Sequence, residues 1–220
     1  MGIIKQGILG GLSGKVGNVV GSSWKGISYL RALPTNVANP NTVGQRITRT
    51  KMSIVISFLK TCTAFIRFGF SGFALKMSAF NAATSFNFRI AVGNDYPNQV
   101  LDYSSVKVTR GNLPGAANAA CAASGPGQVT LTWDDNSSQG NASQGDTPLI
   151  LVYCPEAGSS VYRMQTGSRA EGSAVLDVPA AYIGKVAHCY LGFANIAEIV
   201  GSKLRDYISD SVYAGSVTVL

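Results

Sequence analysis

The spacing of apolar residues changes near residue 98, and this change constrains the fold more than any other feature. Apolar residues recur at helical spacing in Thr42–Cys62 and again in about Lys76–Val92, which predicts two helices. After Tyr96-Pro97-Asn98 the period falls to two, as in half-buried strands, and short runs separated by turn clusters favour an antiparallel sandwich. The seven predicted strands are Ser105–Thr109, Gln128–Trp133, Leu149–Cys154, Val161–Gln165, Ala174–Val178, Val186–Ala194 and Ser216–Leu220.

The first 33 residues are rich in glycine and in residues that favour strands. Glycines at alternating spacings of three and four would cost a helix about 1 kcal/mol each relative to Ala, so turns and twisted strands are expected instead. Val19–Val20 and Trp24–Leu30 are predicted as two short strands. The expected fold class is therefore α+β, with a basic β-arm and helical region at 1–98 and a seven-stranded antiparallel β-sandwich at 99–220.

Charge is distributed unevenly along the chain, and the first acidic residue is Asp95. Residues 1–94 carry eleven Lys and Arg and no Asp or Glu, whereas residues 95–220 carry seven Lys and Arg and all eleven acids. A region without carboxylates cannot neutralise itself with internal ion pairs, and it should attract an acidic protein face, nucleic acid or an anionic surface. The plainer alternative is that these dispersed bases only solvate an otherwise apolar region.

The supply of reactive side chains argues against catalysis. His188 is the only histidine, so a His-based triad or multi-histidine metal site cannot form within one chain, and we expect a half-buried strand residue there. Asp134 and Asp135 lack the spacing of a calcium loop and are expected in a turn. The four cysteines form no C-x-x-C pair and are expected as small buried hydrophobes. We expect no enzymatic activity, cofactor, metal or small-molecule substrate.

Hydropathy gives two expectations about location. The most apolar stretch, Ile54–Phe73, is interrupted by Lys60 and Arg67 and falls short of the roughly 20 apolar residues that span a bilayer. The glycines in Met1–Gly21 make a poor signal-peptide core. We therefore expect no membrane span, and synthesis in the cytoplasm without a signal peptide.

Several sequence motifs resemble known proteins. Val129–Trp133 resembles the second strand of a fibronectin type III domain, and His188–Phe193 resembles its late central strand. The chain as a whole resembles an uncharacterised family of bacterial and phage-associated proteins, a domain of unknown function. The resemblance implies no known activity and no functional residues. The motifs that carry this resemblance are Gly10–Val20, Trp24–Ile27 with Arg31, Asn39-Pro40 with Thr42 and Gln45, Tyr96-Pro97, Asp102–Ser104, Val108–Gly111 and Ser209–Tyr213.

The function expected from these observations is that of a non-enzymatic assembly subunit, for example of a virion or similar particle. The basic N-terminal region would hold it to copies of itself or to other particle proteins with acidic surfaces, and exposed strands would add to a neighbour's sheet edge. The predicted partner-binding residues are Lys15, Trp24, Lys25, Tyr29 and Arg31. The alternative is that residues 1–33 pack on their own domain.

Two other functions remain open. The first is nucleic-acid binding by the basic N-terminal region, with Arg46, Arg49, Lys51 and Lys60 as the predicted phosphate contacts. The second is binding of a sugar or a surface by the polar loop at 134–147. That loop contains no aromatic residue on which a sugar would stack.

Overall fold

The computed structural model describes residues 2–4, 10–24, 27–36, 39–164, 167–198 and 204–220. These residues divide into two compact units, 1–42 and 43–220. The predicted α+β class is confirmed, because the described residues contain three α-helices and several antiparallel sheets. The boundary expected between residues 98 and 99 stays a prediction.

The first unit contains an antiparallel sheet with the strand order β1-β2-β3-β4. The prediction of a single strand over Trp24–Leu30 is wrong, since Trp24 pairs with Ile27 across a hairpin. Gly21 is required where β3 crosses β2, because a Cβ there would collide with the carbonyl of Leu12. The strands are β1 (Ile3–Ile4), β2 (Leu12–Val16), β3 (Val19–Trp24) and β4 (Ile27–Ala32).

The second unit begins with helices α1 (Val43–Thr61), α2 (Thr63–Gly69) and α3 (Ala79–Ile90), and both predicted helices are confirmed. No single helix among the described residues is long and apolar enough to cross a membrane. Taken together, α1 and α2 meet the length and composition criteria, but the pair is bent by 93°.

Helical spacing in the sequence places Met77, Phe80, Phe86 and Ile90 along one apolar side of the second helix, and this prediction is wrong in part. Met77 lies before α3 and is 51% exposed, and Ile90 is 41% exposed. The buried positions of α3 are instead the small or polar Ala79, Ala83, Thr84 and Asn87. Small side chains let α3 approach its neighbours closely. A helix that packs through small residues has no stripe of large apolar residues in its sequence, so its buried side is hard to predict.

The remaining strands form a two-stranded sheet, β5-β6, and two larger antiparallel sheets with orders β11-β8-β7 and β10-β9-β12-β13. The strands are β5 (Val92–Gly93), β6 (Val100–Leu101), β7 (Ala117–Gly125), β8 (Gln128–Asp134), β9 (Thr147–Cys154), β10 (Ser159–Arg163), β11 (Ser173–Asp177), β12 (Val186–Ala194) and β13 (Val212–Thr218). Five predicted strands coincide with β8 to β12, although Gln165 lies outside the described residues, and Ser216–Leu220 overlaps only the end of β13.

The strand predicted at Ser105–Thr109 is absent, and β7 takes its place in the sheet. The backbone of 105–109 bonds to helix and loop groups instead of a strand: Asn87 pairs with Lys107 at 2.9 Å in both directions, and Thr109 accepts from the Ser211 N–H. β7 escaped prediction because its sequence, Ala-Asn-Ala-Ala-Cys-Ala-Ala-Ser-Gly, contains no β-branched or aromatic residue.

Two hydrophobic cores lie on opposite faces of β9 and β12. Leu151 and Tyr190 face the helices, where Phe58 and Phe65 meet them, whereas Ile150 and its alternating neighbours face the sheet β11-β8-β7. Burial on both faces explains why β9 has the nearly continuous apolar sequence Leu-Ile-Leu-Val-Tyr-Cys.

Candidate interaction face on the N-terminal sheet

The strand register brings most of the predicted partner-binding residues onto one side of the N-terminal sheet. Lys15 pairs with Val20, and Val20 pairs on its other side with Arg31. Two residues after Val20, Ser22 pairs with Tyr29, and two residues further along β3, Trp24 pairs with Ile27. Directly opposed residues share a face, and alternate residues of one strand share a face. We call the side formed by Lys15, Trp24, Ile27, Tyr29 and Arg31 the aromatic–basic face.

The aromatic–basic face has an apolar end and a cationic end. Trp24 is 64% exposed, Ile27 67% and Tyr29 42%, and these three lie towards the β3–β4 hairpin. Lys15 and Arg31 are exposed at the other end, on either side of Val20. Trp, Tyr and Arg are the residues that most often supply binding energy in protein interfaces, so this combination is suited to a protein or nucleic-acid partner.

Strand β4 is the outer strand of the sheet, and all six of its residues are exposed. An outer strand presents a row of backbone N–H and C=O groups that another strand can pair with. Natural proteins protect such edges with proline, bulges or several charges. β4 contains no proline and a single charge, Arg31, and no further strand pairs with its outer edge among the described residues.

The described residues of the first unit form almost no core. Gly21 is the only buried residue within 2–3, 10–24, 27–36 and 39–42. The face opposite the aromatic–basic face also exposes Leu30, at 61%, and Val19, at 38%. A small sheet whose described residues bury so little surface gains stability when another surface covers it.

The structure places four of the five predicted contact residues together, and Lys25 lies outside the described residues. Sequence reasoning missed Ile27, which completes the apolar end of the face. The missed signal is the alternation of Ile27, Tyr29 and Arg31, which becomes visible only after the chain is divided into β3 and β4 at the right residue.

The predicted phosphate contacts on α1 do not form one patch. Arg49 and Lys60 are exposed and line one open groove, whose floor contains Met52 and Ile56. The Arg46 guanidinium lies 5.9 Å from the centroid of the Tyr96 ring. The fourth base, Lys51, is half-buried, and at 3.6 residues per turn it projects from the other side of the helix.

Two salt bridges join described residues, and neither includes a base from residues 1–94. Arg163 lies 3.8 Å from Asp177 on the surface, and Arg169 lies 3.0 Å from Asp146 in the interior. These two pairs therefore neutralise no base of residues 1–94.

The residues with catalytic potential have structural surroundings. His188 is half-buried, its Nδ1 lies 2.9 Å from the Tyr213 hydroxyl, and its ring stacks on Tyr103 at 3.9 Å. Burial lowers the pKa of His188. The Asp135 carboxylate accepts from the Ser137 N–H in a turn, which lowers the pKa of Asp135. Within the described residues, no three His, Cys, Asp or Glu side chains are grouped to hold a metal ion.

The fold defines a mixed α+β protein in which three helices share a core with antiparallel sheets. The chain belongs to the family described as Family of unknown function (DUF6266), which it matches over residues 11–215. The expected membership of an uncharacterised family is thus confirmed. No match was found among curated proteins. A solved structure, the fn3 domain of the human collagen alpha-1(XX) chain, is 14% identical over 49% of this chain and 87% of that chain, with a TM-score of 0.34.

Proposed function

We propose that the protein is a non-enzymatic assembly subunit that self-associates through its N-terminal sheet, in a virion or similar particle. The observation that carries this proposal is a small sheet with an open edge strand and a single buried residue among those described. Covering the aromatic–basic face on a neighbouring copy would remove Trp24, Ile27 and Tyr29 from water. Full burial of such a side chain contributes about 1.5–3 kcal/mol.

Charge complementarity favours a second copy of this chain as the partner. All acidic residues of the chain lie in 95–220, and Asp134, Asp177 and Asp210 are among the exposed ones. Lys15 and Arg31 would meet such carboxylates of a neighbour. Rim charges of this kind contribute more to orientation and association rate than to affinity.

We further propose that residues 99–220 form a sandwich of the immunoglobulin or fibronectin III kind. Counted from β7, the first, second and fifth strands form one sheet, and the third, fourth, sixth and seventh form the other. This division and the buried Trp133, whose indole packs edge-on against Phe193 at 5.6 Å, support that topology. Many cell-surface domains share this sandwich architecture, which by itself implies no single function.

The native mass of the full chain, measured by light scattering across a range of concentrations, tests the assembly proposal. We expect oligomers that dissociate when Trp24→Ser and Tyr29→Ser are combined, because the apolar end of the face is lost. Leu75→Ser is the matched control, since Leu75 is 68% exposed but lies outside the N-terminal sheet. A strict monomer at high concentration, unchanged by deletion of residues 1–33, would overturn the proposal.

The cationic end of the face is tested separately. Reversing charge with Lys15→Glu and Arg31→Glu should weaken association most at low salt, because screening shortens the reach of exposed charges to about 8–10 Å at physiological ionic strength. Lys76→Glu combined with Arg89→Glu, at two exposed residues beyond the sheet, changes the net charge by the same amount and should leave association unchanged. Equal effects of both changes would show that only net charge matters.

A second candidate function is nucleic-acid binding, which the exposed Arg46, Arg49 and Lys60 of α1 support. Neutralising phosphates makes affinity fall steeply as salt rises. A titration with a single-stranded oligonucleotide at two salt concentrations would show this slope, and Arg49→Gln with Lys60→Gln would reduce it. The absence of binding, or binding without a salt slope, would eliminate this candidate.

A further inference from the structure

Two cysteines on different sheets of the second unit face the same interior. Cys121 of β7 pairs with Leu131, and Cys189 of β12 pairs with Val152. Leu131 and Val152 both belong to the core between the two large sheets, as does Cys189 itself. Because directly opposed residues share a face, both thiols point into the space between the sheets.

Gly215 lets these thiols approach each other. Gly215 lies on β13 and pairs with Cys189 of the neighbouring strand β12. A Cβ built on Gly215 would lie 3.5 Å from the Cys121 sulfur. The pairing of β12 with β13 shifts register directly after Cys189, and Gly215 has a φ of +118°, which an L side chain rarely adopts. The bulge therefore favours glycine at this position and leaves room beside Cys189 for the Cys121 side chain.

Each of the two thiols changes the pKa of the other. The hydrogen bond from Cys189 lowers the pKa of Cys121, and the same contact together with burial raises the pKa of Cys189. Cys121 is half-buried, whereas Cys189, Cys62 and Cys154 are buried. Cys121 is thus both the more accessible thiol and the one that ionises first, and these two properties define the attacking sulfur in thiol–disulfide exchange.

We propose that Cys121 and Cys189 are a site of disulfide formation that joins β7 covalently to β12. A low-molecular-weight disulfide such as oxidised glutathione is the oxidant. The Cys121 thiol loses its proton, and its sulfur attacks one sulfur of the oxidant, forming a mixed disulfide and releasing one thiol. The Cys189 sulfur, after losing its own proton, attacks the Cys121 sulfur and releases a second thiol. Two protein thiols are oxidised, and one small disulfide is reduced to two thiols.

The disulfide would hold β7, a strand whose sequence has a low intrinsic preference for β-structure. β7 is rich in alanine and pairs with β8 alone within its own sheet, so strand propensity contributes little to holding it. A cross-link between residues 121 and 189 closes a long loop in the unfolded chain. Cross-links of that length commonly stabilise by a few kcal/mol, which corresponds to a rise in Tm on the order of 5–10 °C for a chain of this size.

Oxidation of the purified, reduced full chain tests the site. After incubation with oxidised glutathione near pH 8, denaturing alkylation should label Cys62 and Cys154 but neither Cys121 nor Cys189. The intact mass before alkylation should be lower by two hydrogen atoms, and Tm should rise. Cys189→Ser should stop at a stable glutathione adduct on Cys121, since the second attack has no sulfur. Cys154→Ala, a buried cysteine on β9, is the matched control and should still form the bond.

Three results would overturn the proposal. The first is full alkylation of all four cysteines after oxidation in conditions where the oxidant reacts with a thiol of an unfolded control. The second is a glutathione adduct on Cys121 that persists in the natural sequence without the cross-link. The third is a cross-link that involves Cys62 or Cys154 instead.

Discussion

The two units of this protein use similar apolar residues in opposite ways. In residues 43–220, apolar side chains fill two cores on either side of β9 and β12, and Leu59 and Ile66 are fully buried. In the N-terminal sheet, Trp24, Ile27 and Leu30 remain more than 60% exposed. The first pattern is that of a unit that folds on its own contacts, and the second fits the proposal that a neighbouring copy covers the N-terminal sheet. Stability and association should therefore respond separately to mutations in the two units.

The largest effect is expected inside the second unit, at Arg169. Its guanidinium is fully buried, donates to Asp146 at 3.0 Å and to the Pro114 carbonyl at 2.9 Å, and lies 3.8 Å from the Phe193 ring centroid. Replacing Arg169 with Met leaves the Asp146 carboxylate buried without its cation. Unfolding by urea should show a loss of about 3–5 kcal/mol, the usual result of breaking one partner of a buried pair.

Arg163→Met is the matched control for this change. Arg163 pairs with Asp177 at 3.8 Å, and the side chains of the two are 40% and 70% exposed. Exposed pairs contribute about 0–1 kcal/mol, so the control should lose little stability. Equal losses in the two variants would contradict the view that burial makes Arg169 important.

The second prediction compares one leucine from each unit. Leu59→Ala removes a fully buried side chain of α1 and should lower the free energy of unfolding by about 2–5 kcal/mol. Leu30→Ala removes a side chain that is 61% exposed, and it should change unfolding of the second unit by less than about 0.5 kcal/mol. Its native mass should stay unchanged, because Leu30 lies on the face opposite the aromatic–basic face. A loss of stability for Leu30→Ala as large as that for Leu59→Ala would reverse the comparison.

The sequence predicted well those elements in which local pattern and tertiary environment agree. The apolar period of α1 and of β8 matches the burial of each element, and the continuous apolar run of β9 matches burial on both of its faces. Prediction failed where tertiary contacts override the pattern. Apolar and polar residues alternate in Ser105–Thr109 as in a strand, but its backbone forms hydrogen bonds with Asn87 and Ser211 instead of a neighbouring strand. Conversely, β7 pairs with β8 although its sequence is rich in alanine.

The candidate site was only partly predictable for a related reason. Composition identified Trp24, Tyr29, Lys15 and Arg31 as unusual, but a common face for them depends on strand register. The register follows from the pairing of Trp24 with Ile27, and the sequence Trp-Lys-Gly-Ile offers only one glycine as a turn signal. The proximity of Cys121 and Cys189 could not be predicted from the sequence either, because no local spacing pattern relates residues that are 68 positions apart.

The smallest predicted effect is a difference in pH response between the two units. Residues 1–42 contain no Asp, Glu or His, so the N-terminal sheet has no side chain that titrates between about pH 4 and 8. The second unit contains His188, whose pKa is lowered by burial, while the rings against it, Tyr103 and Tyr213, stay neutral in this range. A depressed histidine pKa means that the unfolded chain takes up the proton first, so stability present above pH 6.5 is lost as pH falls below it. Urea unfolding at pH 7.5 and 5.5 should show this loss in the natural sequence and a smaller one in His188→Gln. If both chains lose the same stability, another group is responsible, and if His188→Gln loses more, the environment of His188 favours its charged form.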